Sequence, residues 1–312
     1  MFFSKIELLN QNIIKLIFEE KNNVLLNNII IGAGRSGTTS LVGYLKQHPD
    51  INFSSIKEVT YFSVAEHFKR GVEYFHSFFE NKKGLLSTSD TYLLMDLTAP
   101  ERIFNYNPNI KLIVILREPA KRSFSNYQYA VSNGYLSNSI SFIESQKLEK
   151  NHILTKDVVF QNNHCSFYGS LYHYHLNNWL KYFKKEQLFI CTTSQLNHEP
   201  KETLNKLFQF LNLSSFEVQE LTAKNKASGV KNKGLNSFLV DREHWLRKLV
   251  RMPLQYKPIR NLIFKTGIVE KIKEVNRTEQ DYAEMSEEEK AFCSIYFEED
   301  LAMLKKEFGI EW

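Results

Sequence analysis

Apolar residues fall into two kinds of run along the chain. Short unbroken stretches end on glycine, arginine or hydroxyl residues, and after them come longer stretches with apolar positions three and four apart. Asn28–Gly32, with three isoleucines in a row, leads into Leu41, Val42 and Leu45, a pattern that predicts a buried strand, a turn and a helix. Lys111–Leu116 is apolar on both faces, as a parallel strand covered by helices must be. Pro119 then stands where a first-turn proline belongs, and Ser123 to Val131 continues the helix. Leu188–Thr192 predicts a third strand, and Pro200 opens a helix with Leu204, Leu207, Phe208 and Leu211 on one side. Leu93-Leu94-Met95 is a fourth, shorter strand candidate.

Strands alternating with helices predict an α/β fold, with an open, mainly parallel sheet flanked by helices, because parallel neighbours need crossover connections. Ligands then belong at the carboxyl ends of the strands. From about Ser215 to Trp312 the pattern turns helical, with dense charge around Met285 to Phe308, so this domain (28–312) is expected to end in a helical cap. Ahead of it, residues 1–27 carry Ile6, Leu9, Ile13, Ile14 and Ile17 at helical spacing. They predict an amphipathic helix that packs on the body or on a second subunit of a homo-oligomer. Lys5, Glu7, Lys15, Glu19 and Glu20 break up any signal-peptide core, and their mixed signs disfavour a membrane surface.

Composition narrows the classes further. The 312 residues are 43% hydrophobic and 24% charged, which excludes disordered and collagen-like chains. Forty Lys and Arg against 35 Asp and Glu give +5, suited to an anionic ligand but short of a dedicated nucleic-acid binder. Cys165, Cys191 and Cys293 are far apart and form no CxxC or Cys/His spacing, so neither a disulfide framework nor a metal site is expected, and a reducing compartment is. No apolar run approaches the roughly 20 residues of a membrane span.

Candidate chemistry concentrates in Gly32-Ala33-Gly34-Arg35-Ser36-Gly37-Thr38-Thr39-Ser40, between the first strand and its helix. Successive backbone N–H groups and the positive helix end can surround an anionic oxygen cluster there, with the Arg35 fork and the hydroxyls of Ser36, Thr38 and Thr39 as further donors. A tight, hydroxyl-capped turn is the plainer reading. The loop departs from the GxxxxGK[ST] phosphate motif, since Thr38 occupies the lysine position and magnesium has no evident seat. A GxGxxG match at Gly32, Gly34 and Gly37 lacks the acidic residue that recognises a ribose.

The second anchor is Arg117-Glu118-Pro119-Ala120-Lys121-Arg122-Ser123-Phe124-Ser125-Asn126-Tyr127, at the end of the Lys111 strand. Together, the glycine loop and this RxPxxRxxSxY arrangement resemble the sulfotransferase family that uses 3′-phosphoadenosine 5′-phosphosulfate (PAPS) and releases adenosine 3′,5′-bisphosphate (PAP). Lys57-Glu58-Val59-Thr60-Tyr61-Phe62 is similar to the segment of heparan-sulfate-type and bacterial carbohydrate sulfotransferases that carries a glutamate base. Ser170-Leu171-Tyr172 with Leu176, Trp179, Leu180 and Phe183 resembles the family's GxYxxxLxxWLxxF stretch, Ser170 standing where Gly is usual. His48-Pro49-Asp50-Ile51, Phe210-Leu211-Asn212-Leu213 and Phe308-Gly309-Ile310-Glu311-Trp312 extend the resemblance to the end of the chain.

That resemblance implies a metal-independent sulfotransferase in which Gly34, Arg35, Ser36, Gly37, Thr38 and Thr39 hold the 5′-phosphosulfate. Arg117 and Ser125 would hold the 3′-phosphate, a fixed guanidinium fork with a hydroxyl being suited to it. Many relatives have Lys where Arg35 stands, and arginine cannot readily donate a proton, so Arg35 is expected to stabilise charge. Glu58 is the expected base, with His67 and His164 as competing candidates. Lys231 and Lys233, in Lys224 to Leu235, form either the late basic loop that closes over the nucleotide or a solvated charge run. The expected acceptor is a carbohydrate or a polar natural product, O- or N-sulfated, in a soluble, cytoplasmic, bacterial enzyme with no nucleic-acid partner. A small-molecule kinase using ATP or GTP on the same frame, and a nucleotide-binding protein without chemistry, are the alternatives.

Overall fold

The computed structural model describes residues 25–80, 83–155, 157–219, 228–230, 277–279 and 283–312. The expected N-terminal helix, and Lys231 and Lys233, lie outside them. Five strands, β1 (Asn28–Gly32), β2 (Ile51–Glu58), β3 (Leu85–Ser89), β4 (Lys111–Leu116) and β5 (Leu188–Thr192), form one sheet in the order β2-β3-β1-β4-β5. Every pairing is parallel. The helices that matter for the site are α1 (Thr38–Leu45), α2 (Ala99–Tyr106), α3 (Pro119–Ser132), α4 (Phe142–Thr155), α5 (Val158–His164), α6 (Tyr172–Leu180), α7 (Pro200–Leu211) and α8 (Glu287–Phe308).

The unbroken apolar strands are explained by two cores, one on each side of the sheet. Ile29 and Ile31 of β1 and Leu112, Val114 and Leu116 of β4 pack under Ile103 of α2, Leu176 and Trp179 of α6, and Leu304 of α8. The alternate residues Ile30, Ile113 and Ile115 pack under Leu41, Val42 and Leu45 of α1 and Leu204, Leu207, Phe208 and Leu211 of α7. The three apolar strands and the helices after them therefore stand where the pattern put them.

Two strands carried no apolar signal. In β2 and β3, Ser54, Ser87, Thr88 and Ser89 are buried hydroxyls, and the first three pair across the sheet: Ser54 Oγ with Thr88 Oγ1 at 2.8 Å, and Asn28 Nδ2 donating to Ser87 Oγ at 2.8 Å. Leu93-Leu94-Met95 is not a strand. It is a buried 3₁₀ turn just past β3, with Leu94 set against Gly32 at the end of β1.

Within the stretch expected to be helical, α8 runs from a capping box at Ser286 and Glu289 to Gly309 in the left-handed region. The same stretch also contains a short antiparallel ladder between Ser228–Val230 and Arg277–Glu279, which periodicity did not announce. Among the described residues no helix is long and apolar enough to cross a membrane.

Candidate active site

β1 and β4 are neighbours, with β3 on the other side of β1, so the chain reverses direction across the sheet at β1 and opens a crevice at the strand ends. The glycine loop leaves β1 there. Ala33 N donates to Ile115 O at 2.8 Å, which ties the loop's start to β4. Gly37 precedes α1 with φ 98°, a left-handed conformation that any side chain would strain, and an added Cβ would stand 3.5 Å from Ile115. Arg35 also adopts positive φ, at 70°, a conformation uncommon outside glycine and concentrated at functional loops.

Arg117 follows β4 directly. Glu118 caps α3, its carboxylate accepting from Ala120 N at 3.0 Å and Lys121 N at 2.9 Å, and Pro119 opens the helix. Arg117 Nη1 donates to Arg35 O at 3.4 Å, Arg35 Nε donates to Ser125 Oγ at 3.4 Å, and the Arg35 guanidinium lies 4.8 Å from the Tyr129 ring centre. The two candidate anion sites are therefore one contiguous cluster. Burial, and Arg35 beside it, hold Arg117 below the usual arginine range. Among the described residues neither guanidinium has a carboxylate in ion-pair contact. Two adjacent, uncompensated cations at strand ends, with a helix N-terminus facing the same crevice, form a site for a multiply charged anion.

Gly34 through Thr39, Arg117 and Ser125 all line this crevice, joined by Lys57, Thr91, Lys121, Tyr129, Asn162 and Thr193. Ser36 differs from the sequence reading in detail: it lies along the crevice wall but is wholly buried, so its hydroxyl is not an exposed donor. Thr193 Oγ1 donates to Ser36 O at 2.7 Å and so fixes the loop to the end of β5.

Glu58 ends β2 about a third exposed, set just behind the lining. Its Oε2 accepts from Thr91 N at 2.7 Å, and its Oε1 meets Lys57 Nζ at 2.8 Å. That ammonium also reaches Thr38 Oγ1 at 3.4 Å, so the Lys57–Glu58 pair leans on the first turn of α1. Beside it lies Asp90, buried, accepting from Ser63 Oγ at 2.5 Å and Tyr92 N at 3.1 Å. Burial, and the charge of Glu58, push Asp90 upward. The two candidate histidines do not line the crevice. His67 Nδ1 pairs with Thr60 Oγ1 at 2.9 Å, and His164 stacks on Phe160 with ring centres 3.7 Å apart.

Lys57, Thr91, Asn162 and Thr193 were not singled out from the sequence. Lys57 was visible beside Glu58 as its ion-pair partner, whereas the other three stand on elements whose order in the sheet had to be known first.

The architecture agrees with comparison to known proteins. The family model for the sulfotransferase domain matches residues 27–248, most of the chain, and the chain belongs to that family. Over 188 residues, 59% of this chain, it is 31% identical to heparan sulfate glucosamine 3-O-sulfotransferase 5 of Mus musculus, covering 53% of that protein. Over 210 residues it is 25% identical to the bifunctional heparan sulfate N-deacetylase/N-sulfotransferase 1 of Caenorhabditis elegans, covering 64% of this chain and 24% of that one. The chain thus spans about half, or less, of these relatives' length. A crystal structure of a sulfotransferase from Alicyclobacillus acidocaldarius superposes with a TM-score of 0.64 at 19% identity, over 92% of this chain and 96% of the other, a likeness of fold.

Proposed function

We propose that this chain transfers a sulfuryl group from PAPS to a hydroxyl or amine of a carbohydrate or related polar molecule. One observation carries the reading: Arg35 and Arg117 sit side by side at the tips of adjacent strands, with no carboxylate in ion-pair contact with either among the described residues. Unlike ATP, PAPS carries a phosphate at the 3′ position besides its 5′-phosphosulfate, and such a donor needs two anion sites in this relation. Gly34 to Thr39 would hold the 5′-phosphosulfate, and Arg117 with Ser125 the 3′-phosphate.

In the transfer, the acceptor oxygen or nitrogen forms a bond to sulfur while the bond from sulfur to the bridging phosphate oxygen breaks. The leaving oxygen gains negative charge, which Arg35 and the loop N–H groups stabilise without needing to reorganise. The acceptor's proton passes to Glu58, and PAP departs with both of its phosphates. Glu58 is held by Thr91 N and by Lys57, which also reaches Thr38 in the first turn of α1. The relatives that act on heparan sulfate favour a sugar acceptor. The three reduced, buried cysteines accord with a reducing, cytoplasmic setting.

Calorimetry with PAP, 5′-AMP and magnesium-ATP tests the donor, and labelled PAPS with a panel of glycan and small-molecule acceptors tests the transfer. Tight, metal-independent PAP binding with label transfer to a glycan is expected. Preference for magnesium-ATP over PAP overturns the reading in favour of a kinase.

A further inference from the structure

Arg122 is the member of the RxPxxRxxSxY run that the proposed chemistry leaves unused. It stands on α3 between Arg117 and Ser125, is 1% exposed and does not line the crevice. Burying a guanidinium is costly unless its donors are met, and here Nε and Nη1 are met by a specific set of acceptors. Nε donates to Gly34 O at 3.1 Å, and Nη1 donates to Ser166 O at 2.9 Å and Ser170 Oγ at 3.3 Å. Ser170 completes the set, since its hydroxyl accepts from Arg122 and Ser123 and donates its one proton to Ser166 O at 3.2 Å.

The surroundings are shaped to this side chain. A Cβ on Gly169 would lie 2.6 Å from Nη1, so the guanidinium rests on bare backbone. Buried Glu149 grips the same turn from its other side, accepting from Phe167 N at 2.9 Å and Tyr168 N at 2.8 Å.

The consequence lies in the peptide between Gly34 and Arg35. In a trans peptide the C=O and the N–H point in opposite directions. Drawing Gly34 O inward onto Arg122 therefore turns Arg35 N–H outward, into the crevice, and among the described residues no protein acceptor takes it. The next two carbonyls are held as well, Arg35 O by Arg117 and Ser36 O by Thr193. Three successive carbonyls are each tied back by a side chain from a different place in the sequence, which is how a loop is kept from turning an oxygen towards an anion.

We infer that Arg122 is a positioning residue: it locks the Gly34–Arg35 peptide with its N–H facing the crevice, so that the loop binds the 5′-phosphate end of the donor without rearrangement. The inference rests on the loop being the 5′ site. A preorganised donor costs nothing to order on binding, and its loss is read directly in affinity.

The test uses the full chain carrying Arg122→Met, Arg122→Lys or Gly169→Ala, with calorimetric titration of PAP and 5′-AMP and a melting curve for each variant. Both nucleotides share the 5′-phosphate, so both should weaken together, by about tenfold to a hundredfold in Arg122→Met. Arg122→Lys, which keeps one donor, should fall in between. Gly169→Ala displaces the guanidinium while retaining it, and should weaken both nucleotides with Arg122 still present. Folded variants that bind both nucleotides as the parent does, with only the melting temperature reduced, overturn the inference. So does failure of all three to fold, since Arg122 would then be holding the core rather than the loop. A parent chain that binds neither nucleotide overturns instead the reading of the site.

Discussion

Arg117→Met isolates the 3′ end of the donor. The substitution keeps most of the aliphatic stem in its packed position and removes only the charge and its fork of donors. In the ligand-free fold that charge is unfavourable, because burial and neighbouring Arg35 both act against it. The variant should therefore melt no lower than the parent, the lost bond to Arg35 O being long at 3.4 Å and hence weak. Ligand binding should show the reverse. A hydrogen bond to a charged group contributes about 1.5–3 kcal/mol, so PAP affinity should fall by about tenfold to 150-fold.

5′-AMP supplies the control, since it carries no 3′-phosphate and should bind the variant nearly as it binds the parent. The ratio of the two affinities, measured by calorimetry at one fixed ionic strength, then collapses towards unity in Arg117→Met. Equal losses for the two nucleotides would show that Arg117 acts on the loop and not on the 3′-phosphate. Unchanged PAP binding would remove Arg117 from the donor site altogether.

Glu58→Gln should lower kcat by about a hundredfold to ten-thousandfold, the usual range for a positioned base, with PAP affinity intact; nearly normal turnover in that variant would discard the assignment. Glu149 offers a test on stability: burial pushes its carboxyl up from 4.5 to about 7, so the folded state keeps a proton that the unfolded chain has released. Its contribution is present at low pH and is lost as pH rises through about 7, bounded at ~3 kcal/mol by about 1.4 kcal/mol per pH unit. Buried His175, pushed down to about 4, acts in the opposite sense as pH falls below 6.5, so the two partly cancel in the parent. Denaturant titrations between pH 5 and 8 should show Glu149→Gln gaining stability relative to the parent as pH rises, and a constant difference would refute the account.

The legible parts of the chain were those where one physical demand acted alone. β1, β4 and β5 are apolar on both faces because helices cover both sides of the sheet, and that demand is visible residue by residue. The glycine loop was visible because a left-handed position at Gly37 and a row of hydroxyls serve few other purposes. β2 and β3 were hidden because most of their buried residues are serines and a threonine, of which Ser54 and Thr88 bond to each other and Ser87 to Asn28, contacts that exist only once the order β2-β3-β1 is formed. Arg122 was in plain view within its motif, but a charged residue on a helix reads as exposed until Ser166 and Gly34 are known to meet it.

The division of labour in the site also follows from charge. Arg35 cannot supply a proton, and it is held over Tyr129 and beside Arg117, so this corner of the crevice is fixed as positive at any physiological pH. Glu58 stands instead across Lys57 and Thr91, beyond the first turn of α1, with Asp90 as its nearest acidic neighbour. Burial and the charge of Glu58 push Asp90 towards its neutral form, and Glu58 pairs with Lys57 at 2.8 Å. In the proposed reaction the acceptor would approach the Lys57–Glu58 ion pair on one side and a strongly positive loop on the other, a polarity suited to drawing a proton off one way while charge builds on the leaving oxygen in the other.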